Sequence, residues 1–180
     1  MHEAVISPLA GWESFYVIVG SSAAALTGLQ FVVMALVADA PRRPAEGEIA
    51  AFGTPTIVYF CAVLLVSAVV SAPWSGLHGA ALVLTAIGLF GVAYTVLVAL
   101  RARRQTGYKP VLEDWVWHVG LPFTAQTLLA IGALAMLRYD TSGLFLIAGA
   151  SLLLLFIGIH NAWDTVTYIA VKGPFHGGTS

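Results

Sequence analysis

The sequence predicts an all-α, polytopic membrane protein. Residues 1–180 form a single integral membrane domain, a bundle of five transmembrane helices with the N-terminus outside and the C-terminus cytoplasmic. Three observations predict the class. Hydrophobic residues make up 59% of the chain and charged residues 9%, where a soluble domain carries about 25% charged residues. Five apolar segments are long enough to cross about 30 Å of hydrocarbon, which takes roughly 20 helical residues. Runs such as "SLLLLFIGI" do not alternate as barrel strands do, and a helix satisfies its own backbone inside a bilayer.

The first segment covers about 14–38. It does not read as a secretory signal, because no positive residue precedes it, it is too long, and no small-residue cleavage site closes it. Gly20, Ala24 and Gly28 stand four apart, a small-residue face suited to packing within the chain or between subunits. The break "DAPRRPAEGE" follows, and "AEGEIAAFG" is expected to lie along the membrane surface. The second segment covers about 55–72, with Thr54 and Pro55 reading as N-cap and first helical residue. The uncharged turn "SAPWSGLHG" leads to the third segment, about 79–100. The basic loop "RARRQTGYKP" leads to the fourth, about 115–137. "RYDTSG" offers Ser142 as a cap before the fifth, about 144–171. There is no internal repeat.

With five spans the loops alternate between sides. One side holds Arg42, Arg43, Arg101, Arg103, Arg104, Lys109 and Lys172, and the other only Arg138. Cytoplasmic loops carry the excess of basic residues, which sets the orientation. Trp12 and Trp74 then fall at the outer boundary, and Trp115 and Trp117 at the inner one, as an aromatic belt. Arg101, Arg103, Arg104 and Lys109 are expected to meet anionic lipid. A net charge of −1 offers no bulk attraction for nucleic acid. The single cysteine, Cys61, excludes an intrachain disulfide and any CxxC motif. The chain resembles the small multi-pass proteins of bacterial cytoplasmic membranes, which is its expected location.

Against this background "IGIHNAWDTVTY", residues 157–168, is anomalous. Ionisable residues inside a span are costly and point to function. His160 and Asp164 stand at i and i+4, hence on one helical face, with Asn161 and Thr165 flanking it and Thr167 and Tyr168 extending it. The fourth segment brings Glu113 and Asp114 to its mouth and His118 about 5 Å deeper. If the fifth span ends near Val171, Asp164 lies about 10 Å and His160 about 16 Å inside the boundary. The second helix adds Tyr59 at similar depth, and the first adds Gln30. Polar groups from four helices therefore gather in the cytoplasmic half. Pro122 removes the hydrogen bond to the carbonyl of His118, so this helix is expected either to kink or to break beside the site. A second outcome places Asp164 at the interface, because the fifth segment, at about 42 Å, exceeds the bilayer core.

Three function classes fit. The first is an ion or proton channel or a transporter, in which His160 and Asp164 relay protons and Glu113 and Asp114 attract cations at the mouth. A chain this short would act as a homo-oligomer. The second is a metal-dependent membrane enzyme with His118, His160 and Asp164 as ligands, although no HExxH or comparable motif supports it. The third is a non-catalytic accessory or assembly subunit, its polar cluster serving as an interhelical network. The residues do not identify a cofactor.

Overall fold

The computed structural model describes residues 8–38, 54–104, 112–139 and 142–172, without the side chains of 36–38, 104, 114, 139 and 168–172. No strand occurs among the described residues, and five helices are long and apolar enough to cross a membrane. A 3-10 turn, Ala10–Trp12, leads into α1, Glu13–Ala38. Helix α2 is Thr54–Ser71 and α3 is Leu77–Arg104. Helix α4 has three consecutive parts: Leu112–Trp115, a π-turn Val116–Gly120, and Leu121–Tyr139. Helix α5 is Ser142–Lys172. Thr54 and Ser142 are thus the first helical residues of α2 and α5 and not caps ahead of them. The expected surface segment "AEGEIAAFG", with Arg42, Arg43 and Lys109, lies outside the described residues.

Helix α5 is the centre of the bundle. It packs against α2 and α4 and touches α1, while α1 lies on α2 and α3 lies on α4. Small residues set these crossings, as expected where lipid offers no hydrophobic drive between helices. A Cβ added to Gly88 of α3 would stand 2.7 Å from the backbone nitrogen of Ala130. Gly132 of α4 and Gly143 of α5 face one another's backbones, and Gly158 of α5 takes the ring of Phe60 from α2. The stripe on α1 divides. Gly20 meets Ser67 of α2, but Ala24 is exposed and Gly28 has nothing within 4 Å.

Two apolar cores fill the bundle. One lies toward the α2–α3 turn and includes Tyr16, Val70, Leu84, Leu129, Leu144 and Ile147. The other lies toward the π-turn and includes Tyr59, Phe60, Val63, Leu154 and Ile157. The α2–α3 turn is held by Trp74, whose indole Nε1–H donates to the carbonyl of Val69 at 2.6 Å while its ring lies over Gly79. Trp12 also serves more than a belt. It meets Phe145 edge-on, with ring centroids 4.8 Å apart, and so ties the start of α1 to α5.

The π-turn has a local cause. Pro122 has no N–H to offer the carbonyl of His118. The backbone widens by one residue just before it, and Leu121 N–H donates to the carbonyl of Val116. The fourth helix therefore neither unwinds nor merely kinks. It stays helical through a bulge of the kind often found at functional sites.

Candidate functional site

The site grows from the meeting of the π-turn with α5. Trp117, inside the bulge, stacks on His160 with ring centroids 3.6 Å apart and planes 19° from parallel. Beyond the belt position expected of it, Trp117 therefore has a second role, because its ring covers a histidine. Exposed Trp163, one turn further along α5, sits at the surface.

This contact also corrects the depths. Trp117 and His160 are at one level, so His118 lies about level with His160 and not some 10 Å above it. From Trp117 back to the start of α4 the chain rises about 7.5 Å, and from His160 to the end of α5 about 18 Å. Helix α5 thus overshoots its neighbour by about 10 Å. The sequence-based estimate took α4 and α5 to end at one level on this side, and they do not.

The pair on α5 has the expected spacing and an unequal environment. His160 Nε2 and Asp164 Oδ2 are 3.1 Å apart, within ion-pair range. Their orientation does not align a hydrogen bond, and Nε2 has no other hydrogen-bond partner among the described residues. The His160 side chain is 27% exposed and that of Asp164 54% exposed. The inner member is covered by Trp117, and the outer member opens away from the bundle. The hydroxyls of Thr165 and Thr167 are satisfied within the helix, donating to the carbonyls of Asn161 and Trp163.

Asn161 turns the other way. It is 2% exposed, and neither its amide nitrogen nor its amide oxygen has a partner among the described residues. Tyr59 is fully buried and its hydroxyl is likewise unpartnered there. Asn161 lies near the α2–α5 contact, where Phe60 meets Gly158 one turn away, and Tyr59 belongs to the apolar cluster around that contact. Gln30 is buried on α1 and Thr56 on α2. Leaving an amide or hydroxyl like those of Asn161 and Tyr59 unpaired in an apolar interior costs several kcal/mol in the least polar reference solvents, and about 1–3 kcal/mol in proteins.

The remaining candidates spread out. Glu113 is exposed, His118 is half-buried, and the Asp114 side chain is outside the described set. Among the described residues no three His, Cys, Asp or Glu side chains gather to hold a metal. His118, His160 and Asp164 are therefore not brought together as a ligand set there.

Sequence reasoning passed over Gln126. It is 2% exposed in the middle of α4 and fills the space left by Gly91 on α3, with its amide oxygen unpartnered among the described residues. Thr95, one turn from Gly91, returns its hydroxyl to the Gly91 carbonyl at 2.9 Å. A glutamine in "FTAQTLLAIG" was the available signal, and Gly88 and Gly91 on the preceding helix marked where it would fit.

No family model matches this chain, and neither a curated protein nor a solved structure matches it significantly. The fold itself defines an all-helical protein with five helices fit to span a membrane.

Proposed function

We propose that the protein is an oligomeric ion or proton permeation protein of the cytoplasmic membrane of a bacterium, with His160 and Asp164 as its protonatable site. The observation that carries this reading is the 3.1 Å approach of His160 to Asp164 on a helix otherwise built for lipid. Histidine changes charge near neutral pH, and an adjacent carboxylate is a suitable donor and acceptor for the same proton. Two further features support it. Trp117 shields the histidine on one side, while Asp164 opens outward, where another copy of the chain or water reaches it. Asn161, next to His160 in the chain, and Tyr59 on α2 are both buried and lack partners among the described residues, so they offer polar groups inside the bundle. In this reading Glu113 and Asp114 raise the cation concentration at the mouth.

In this reading the N-terminus is outside and the C-terminus cytoplasmic, with the basic loops inside. A reporter active only in the cytoplasm, fused after Ser180, is expected to be active. A silent reporter on a well-expressed fusion overturns the orientation.

The function is tested by proton flux into liposomes containing the purified protein. Asp164→Asn keeps the size and hydrogen-bonding capacity of the side chain and removes its charge. It is expected to abolish flux while the assembly keeps its size-exclusion profile. Wild-type flux in Asp164→Asn removes the pair from any relay. Absence of flux in the wild type itself, with a co-purifying partner, points to the accessory-subunit reading.

A further inference from the structure

A groove on the lipid-facing side of α3 and α4 has a chemistry that the permeation reading does not use. Its walls include Val96, Ala99 and Leu100 of α3 and Val119 and Phe123 of α4, and Arg103 closes one end. Its volume is about 190 Å³. The residues lie within the candidate spans Leu77–Arg103 and Val116–Arg138, so the apolar part lies at hydrocarbon depth. Arg103 is the last residue of its span and one turn beyond Ala99 on the same face. That places a guanidinium at headgroup level above an apolar slot.

Arg103 is also positioned. Its guanidinium carbon stands 5.5 Å from the centroid of the Trp115 ring, within reach of a cation–π contact. Stacking uses the face of the guanidinium and leaves its N–H edge available, the geometry that recognises a phosphate in bidentate fashion. No carboxylate pairs with Arg103 among the described residues. The side chain is exposed. The π-turn contributes Val119 to one wall, so the same bulge that brings Trp117 to His160 also shapes this groove.

We infer that the groove is a discrete binding site for one anionic phospholipid, with an acyl chain along α3 and α4 and its phosphate on Arg103. The occupant follows from complementarity: an apolar slot that ends in an oriented cation, without a carboxylate partner among the described residues, matches a lipid with a negatively charged headgroup. This differs from diffuse attraction to basic loops, because Arg101, two residues earlier on α3, belongs to the same basic cluster but does not line the groove.

The test uses the full-length protein in nanodiscs of mixed phosphatidylcholine and phosphatidylglycerol, with retained lipid counted by native mass spectrometry after extraction. Arg103→Gln is expected to reduce retained phosphatidylglycerol about fivefold, the worth of one basic side chain near an anionic surface, and to leave phosphatidylcholine unchanged. Ala99→Phe, which fills the slot, is expected to reduce it as well. Arg101→Gln makes the same charge change outside the groove and is expected to have little effect. Glycerol phosphate, the headgroup without chains, is expected not to displace the lipid. Equal losses in Arg101→Gln and Arg103→Gln would show general surface charge and overturn the site. Full retention in Ala99→Phe, or displacement by glycerol phosphate, would show a headgroup contact without a chain site and overturn it too. Should Ala99→Phe lose its monodisperse profile, Val96→Phe, at the exposed lip of the groove, makes the same steric test.

Discussion

Gly88→Leu is expected to unfold the bundle, with a loss of roughly 3 kcal/mol or more, at or above the upper end of the usual overpacking range. The reason is what a side chain at this position would meet. The Cβ alone would stand 2.7 Å from the backbone nitrogen, and 2.9 Å from the Cα, of Ala130. Backbone cannot rotate aside as a flexible side chain does, so α3 and α4 would have to separate along their length. That would also expose Gln126, which sits between the same two helices beside Gly91. The midpoint of SDS-induced unfolding in mixed micelles measures the loss. Gly149→Leu is the matched control, because Gly149 lies within a membrane-spanning helix but has nothing within 4 Å. Its midpoint should stay at the wild-type value. A wild-type midpoint for Gly88→Leu would show that the α3–α4 crossing is not as close as described.

Asn161→Leu is expected to do the opposite to stability. Leucine has the same branched heavy-atom skeleton as asparagine. It removes two amide atoms that have no partner among the described residues in a side chain 2% exposed. Relief of an unpaired buried polar group is worth about 1–3 kcal/mol, so the SDS midpoint should rise. If the permeation reading holds, flux should fall in the same variant. A residue kept at a cost to stability and needed for activity is the usual mark of a functional group. A lowered midpoint would instead mean that the amide is paired by residues beyond the described set, and that Asn161 is structural glue.

The two halves of the candidate site were unequally legible in the sequence. The pairing of His160 with Asp164 follows from a spacing of four on a helix, and the structure has it. That Gln30, Tyr59 and Asn161 lie toward one end follows from alternating helix direction, and the structure adds that each is buried. The cover over His160 was not legible, because Trp117 read as a belt residue beside Trp115. A tryptophan near a helix end satisfies the belt pattern whether it faces lipid or the bundle. The relative level of the two histidines was also not legible. Counting residues from the end of each apolar segment assumes that α4 and α5 end together, and the stacking of Trp117 on His160 shows that α5 runs about 10 Å further. The proline was legible as a disturbance, but its resolution as a π-turn depended on what the widened backbone could then reach.

The sequence by itself determined the class of protein, the five helices of span length among the described residues and, within a few residues, their limits. These depend on hydrophobicity summed over a length that matches a bilayer, which is a property of the chain read in one dimension. Only the tertiary structure decided which face of each helix is buried. A transmembrane helix is apolar all round, so it lacks the polar stripe that reveals the packed face of a soluble helix. The choice is made by shape: Gly88 against Ala130, Gly143 against Gly132, Gly158 against Phe60. Those contacts rotate α5 so that Asn161 points into the bundle, His160 lies under Trp117, and Asp164 opens outward.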